Sequence, residues 1–125
     1  MRVLDAGVVV DLLVGRLDET ALGGEEAGVP HLLDSEVTSV LRRLVLRGEL
    51  TVEQGDAAMA RFLELDLERF PADRLRPRMW ELRANLTGYD ATYVALAEAV
   101  GATALLTTDA RLAGAPGLRC AVHVV

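Results

Sequence analysis

No lysine occurs in these 125 residues; all 13 basic residues are arginine. Any mechanism that needs a lysine is therefore excluded. The single cysteine, Cys120, rules out an intramolecular disulfide framework and a thiolate-rich metal cluster. His31 and His123 are the only histidines, and no Cys or His pair stands at zinc-ligand spacing. There is no glycine-rich phosphate loop. No apolar stretch approaches the ~20 residues that span a bilayer. No basic start leads into an apolar core of the signal-peptide type. Together these absences predict a soluble protein of a reducing compartment, with the cytoplasm as the default.

What is present points to one packed domain over residues 1–125. The apolar fraction is 51%, too high for a disordered chain, and the length supports a single sizeable core. The formal charge is −6, which argues against broad non-specific nucleic-acid binding. The charge is unevenly spread. Arg42, Arg43 and Arg47 form one basic stretch, and Arg74, Arg76, Arg78 and Arg83 another.

Residues 2–5 read as a short strand. The Val8-Val9-Val10 run has strand propensity, but Asp11 interrupts it and Leu12-Leu13 continue it, which favours a helix to about Val14. Gly23, Gly24 and Gly28 mark a loop, and Val29–His31 a very short strand. Leu33, Val37, Val40, Leu41 and Leu44 fall at helical spacing over about 32–47, with Gly48 as the C-terminal cap. Thr51 and Gln54 make a capping box for a helix to about Leu65. Leu67–Phe70 alternates weakly, like a strand. The pattern predicts helices over roughly 72–85 and 90–100, and strands at 104–107 and 120–124. Strands alternating with helices of this length predict an α/β fold, a parallel sheet covered on both faces with right-handed crossovers.

Four acids stand at strand ends or near helix starts in this reading. Asp5 follows Arg2-Val3-Leu4, and Asp109 follows Ala104-Leu105-Leu106-Thr107-Thr108. Glu36 and Asp90 lie near the starts of strongly helical segments. Each has a plain structural reading. Asp90 follows Thr87 by three, as in a capping box. Glu36 suits a first helical turn, Asp34 a cap of the same helix, and Asp109 a turn before a short helix at Arg111-Leu112. Asp5 is hardest to explain this way, since a buried N-terminal strand gains nothing by ending on an acid. In an open parallel sheet, ligands gather at the carboxyl ends of the strands. Carboxylates brought together there repel one another unless a cation lies between them, so the four together favour a divalent-metal site and metal-assisted hydrolysis. Glu98, eight residues after Asp90, faces about 80° away round the helix, and with Asp11 it reads as a solvated or ion-paired residue.

The stretches Arg83–Glu98 and Leu105–Leu112 strongly resemble PIN-domain endoribonucleases of the VapC toxin type. Leu4–Leu13 and Glu36–Arg43 match the two remaining motifs, in family order across nearly the whole chain. The resemblance implies a three-layer α/β/α sandwich with a central parallel sheet. It implies Mg2+- or Mn2+-dependent cleavage of RNA, with Asp5, Glu36, Asp90 and Asp109 as the metal-site acids and Thr107 as a supporting hydroxyl. It also implies a homodimer and a cognate VapB-type antitoxin whose tail covers the acidic cleft. Arg74, Arg76 and Arg78 are candidate RNA contacts. Gly7 departs from the pattern, because many relatives carry Ser or Thr there; with all four acids present, activity is expected to survive. The competing reading is a PIN-like module that binds a partner without cleaving. A phospho-receiver needs a late lysine, and a haloacid-type phosphatase needs Asp-x-Asp where Gly7 stands.

Overall fold

The computed structural model describes residues 1–125. Five short strands form one wholly parallel sheet: β1 (Arg2–Leu4), β2 (Ala27–Pro30), β3 (Glu68–Phe70), β4 (Leu105–Thr107) and β5 (Val122–Val124), in the order β3-β2-β1-β4-β5. From β1 the chain runs outward through β2 to β3, then returns to the other side of β1 for β4 and β5. Right-handed crossovers in opposite directions put helices on opposite faces. The first group is α1 (Ala6–Leu13), α2 (Leu32–Leu46) and α3 (Val52–Glu64), which pack on one another. The second includes α4 (Arg76–Glu81) and α5 (Gly88–Ala99), which pack together, and α6 (Ala110–Ala113), which packs against β4 and β5. This is the expected three-layer sandwich. Its strand order reverses between β1 and β4, so the crevice at their carboxyl ends is where ligands collect in such sheets.

Local chemistry explains most elements. The valine run of α1 is helical because Asp5 caps it, Oδ1 accepting from the Val8 N–H at 2.9 Å. Val8, Val9, Val10, Leu12 and Leu13 are then all buried, so tertiary packing overrides β propensity. α2 buries one stripe, Leu33, Val37 and Leu41, and the chain leaves it through Gly48 at φ 72°. The capping box of α3 is complete, with Gln54 N to Thr51 Oγ1 at 3.1 Å and Thr51 N to Gln54 Oε1 at 2.8 Å. α5 is buried at every position from Ala91 to Ala97, a helix covered on all sides.

Three local expectations need correction. The helix over 72–85 is shorter: a 3-10 turn at Asp73–Leu75 leads into α4, which ends at Glu81. Beyond it the chain tightens into three-residue turns, Arg83 N to Trp80 O and Asn85 N to Leu82 O, which put Leu82 into the core. Gly28 lies inside β2 rather than in a loop; a Cβ there would stand 2.7 Å from Met1 Sδ and 3.2 Å from Phe70 Cε2, so a larger residue would displace the Met1 side chain. Asp34 does not cap α2. It pairs bidentately with Arg69 of β3, at 2.8 Å on each oxygen.

Candidate active site

Asp5, the last residue before α1, sits over the reversal of strand order. Its Oδ2 accepts a short hydrogen bond from the Thr107 hydroxyl at the end of β4. Thr107 is fully buried, and its oxygen also accepts from the Asp109 N–H at 2.9 Å. One hydroxyl thus ties the ends of β1 and β4 together. Burial pushes the Asp5 carboxyl up, against hydrogen bonds from Thr107 and the Val8 and Thr108 N–H groups; the charge of Asp90 pushes it further.

Glu36 and Asp90 reach the same crevice from opposite faces of the sheet. Glu36 is in the second turn of α2, not the first, where an N-terminal dipole reading would have placed it. Its Oε1 accepts from the Tyr93 hydroxyl at 2.5 Å. Burial raises its pKa, Tyr93 opposes that, and the charges of Asp90 and Asp5 add to it. Asp90 is in the first turn of α5, where its N–H donates to Thr87 Oγ1 at 3.2 Å, half of a capping box. Its pKa is raised by burial and then by Asp109, with Arg111 acting in the other direction.

Asp109 belongs to the rim. It caps α6, Oδ1 accepting from the Arg111 N–H at 2.9 Å and from Arg111 Nε at 3.4 Å. Those bonds, the backbone one first, hold it below the usual carboxylate range. The four sequence-derived acids are therefore brought to one crevice, three of them inside it with raised pKa values and the fourth at its edge.

No three of the acids stand within joint reach of a single ion as the side chains are arranged. The donor set nevertheless fits a hard divalent cation. Every candidate ligand is a carboxylate oxygen, and three of them lie in one another's repulsive field, with Arg111 offsetting Asp90 alone. Mg2+ keeps several waters and needs only one or two protein carboxylates. A loose acidic pocket is compatible with that mode.

The arginine stretch does not line this crevice. Arg78 bonds Glu98 through Nε at 2.7 Å and Nη2 at 3.1 Å, the Gly117 carbonyl at 2.6 Å and Glu81 at 3.2 Å. Glu98 is eight residues beyond Asp90, about 12 Å along α5. Arg78 and Arg74 border a cavity with Glu98, Ala99 and Arg119 at that far end. Arg78 thus anchors α4 to α5. Arg74 and Arg76 remain exposed.

Sequence reasoning missed two neighbours of the acids. Tyr93 lies three residues after Asp90, on the same helical face; that spacing was the available signal. It is 2% exposed, and a buried phenol needs a partner. Burial and then Glu36 drive its pKa strongly up, so it remains a hydrogen-bond donor. Arg111, 93% exposed beside Asp109, is the cation at the rim.

The comparisons agree with this fold. The family described as the PIN domain matches residues 2–118. Ribonuclease VapC1 of Mycobacterium tuberculosis is 46% identical over 129 residues, covering 98% of this chain and 96% of its own. Ribonuclease VapC9 of the same organism is 42% identical over 126 residues, covering 100% and 98%. Among solved structures, a toxin–antitoxin complex from Klebsiella pneumoniae aligns with a TM-score of 0.71 at 20% identity, over 99% of this chain and 97% of that one.

Proposed function

The chain belongs to the PIN-domain family, and on that premise we propose that it is an endoribonuclease toxin of the VapC type, dependent on Mg2+ or Mn2+. The observation that carries the reading is the meeting of Asp5, Glu36 and Asp90 at the β1–β4 crevice, half-buried together, where Arg111 of the rim offsets the charge of Asp90 alone. Support comes from the named ribonucleases that match nearly end to end.

Asp5, Glu36 and Asp90 would hold the cation, one or two of them directly and the others through its waters, with Asp109 contributing from the rim. When bound, such a cation supplies a nucleophilic water at neutral pH and offsets negative charge on the scissile phosphate. The chain's own groups do the positioning. Thr107 and the Val8 N–H fix the two oxygens of Asp5, and Tyr93 fixes Glu36. Arg111 would meet a phosphate at the rim, and the exposed Arg74 and Arg76 would hold the backbone of a longer RNA. The −6 net charge is compatible with this, because local arginines and the cation meet the phosphates.

A VapB-type antitoxin is the proposed partner, supported by the toxin–antitoxin complex of the same fold. A guanidinium pairs with carboxylates bidentately, so an arginine in the antitoxin tail would compete with the cation for these oxygens. Assembly as a homodimer and action in the cytoplasm belong to the same proposal. No helix is long and apolar enough to cross a membrane.

The test is cleavage of a defined RNA with Mg2+, with Mn2+ and with chelator. Cleavage with either cation and none in chelator is expected. Undiminished cleavage in chelator would overturn the metal assignment. No cleavage under any condition, with binding intact, would favour the non-cleaving PIN-like module.

A further inference from the structure

Gly7, the second residue of α1, places no side chain in the cleft. A Cβ built at residue 7 would run into the hydroxyl oxygen of Thr108; it would stand 3.4 Å from the Thr108 Cβ and 3.5 Å from Asp5 Oδ1. The niche between residue 7 and the Asp5 carboxylate is therefore already filled, and a hydroxyl fills it. Thr108 is held there by its neighbours. Thr107 before it is buried and bonded to Asp5, and Asp109 after it caps α6. Its own N–H acts on the Asp5 carboxylate. Thr108 is exposed to solvent, and none of the side-chain hydrogen bonds of the cleft uses its hydroxyl.

We propose that Thr108 is a positioning residue of the cleft: its hydroxyl occupies the niche that a side chain at residue 7 would fill, and orients the water shell of the divalent cation held by Asp5. The role rests on the metal-dependent reading above. A hydroxyl with no protein partner, beside a carboxylate that would bind a hydrated cation, can donate to or accept from that cation's waters. Residue 7 and residue 108 are then alternative sources of one hydroxyl. Gly7→Ser alone forces two side chains into space for one, and the Thr108 hydroxyl must rotate away. Thr108→Ala empties the niche, and the double variant refills it from the other side.

The experiment is calorimetric titration of Mn2+ into the full chain, for wild type, Asp5→Asn, Thr108→Ala, Thr108→Ser, Gly7→Ser and Gly7→Ser/Thr108→Ala, with Tm in chelator as the folding control. Thr108→Ala should weaken Mn2+ binding on the order of 10-fold at unchanged Tm, and Thr108→Ser should bind as wild type. The double variant should bind more tightly than Thr108→Ala, a non-additive pair of substitutions. If Asp5→Asn loses Mn2+ while Thr108→Ala binds as wild type, the proposal falls and the metal reading stands. If the double variant shows only the summed losses of its two parts, the shared niche is wrong. If wild type binds no Mn2+, both readings fall.

Discussion

Two clusters of carboxylates at opposite ends of the parallel sheet are treated in opposite ways. At the amino end, Glu25 accepts from the Met1 amine at 3.1 Å, from Arg2 at 3.0 Å and from the Thr103 hydroxyl at 2.6 Å. The Thr103 bond, then the amine, hold it down at about 2. This cluster binds the starts of β1 and β4 to the loop before β2. At the carboxyl end, Asp5, Glu36 and Asp90 are half-buried beside one another and all three are pushed up. Glu98, at the far end of α5 from Asp90, follows the amino-end rule: burial pushes it up, but Arg78 and the Arg119 N–H outweigh burial. The chain has 13 arginines for 19 acids, and pairs several of them with acids that support the fold. The acids of the crevice are left with their repulsion, at a cost in stability of the kind that functional sites carry.

The largest expected effect that separates the two ends is on catalysis. Asp5→Asn or Asp90→Asn should reduce RNA cleavage by ~100-fold or more, beyond the ~10–100-fold typical for losing a merely supporting partner of a metal site. Glu25→Gln should lower Tm and leave cleavage per folded molecule unchanged. Equal loss from both kinds of substitution, at matched folded fraction, would erase the distinction.

A smaller contrast should appear in the pH dependence of stability without metal. Glu25 has a depressed folded pKa, about 2 against 4.5. Its contribution is complete above 4.5 and is lost as pH falls toward the lower value. Asp5, Glu36 and Asp90 have raised folded pKa values, so the opposite sign holds: stability rises as pH falls from neutral through those values. Urea unfolding in chelator should give a maximum in mild acid, and Asp90→Asn should flatten the rising limb while leaving the acid loss in place. A profile that falls steadily from neutral pH would contradict the raised values.

The positions most legible in the sequence were those where a local pattern and the fold agree. Asp5 and Asp109 each follow a short apolar run, so a strand end carrying an acid could be read directly. Thr107 was singled out only by the family resemblance of the second run. The strand–helix alternation was enough for the sandwich. What stayed hidden depends on contacts distant in sequence. Tyr93 meets Glu36 across 57 positions, and Arg78 meets the Gly117 carbonyl across 39. From clustering alone, Arg78 looked free for phosphates; its ion pair with Glu98 shows only in three dimensions. Gly7 read as a missing hydroxyl because nothing local shows that Thr108 stands in front of it. The helix over 72–85 was overextended because the turns that bury Leu82 respond to packing, not to periodicity.

The smallest expected effect concerns the remaining arginines. Arg74→Gln/Arg76→Gln in an Asp5→Asn background should weaken RNA binding modestly and flatten its salt dependence, by about 1 in slope for each phosphate left without its arginine. An unchanged slope would place both residues off the RNA path. Arg78→Gln should instead lower Tm equally with and without Mn2+, as the loss of an anchor remote from the crevice.

The most direct measurement is the Tm of wild type and Asp90→Asn, first in chelator and then with excess Mn2+. Asp90 is suited to it because its carboxylate faces its neighbours' repulsion while its N–H makes the helix-start bond. In chelator the variant should melt a few degrees above wild type, since one repelling charge is gone. With Mn2+ the order should reverse, because a ligand that binds only the folded form stabilises it in proportion to its affinity. A variant that melts below wild type in chelator, with no difference in their response to Mn2+, would contradict the claim that the acids of this crevice are arranged for a cation.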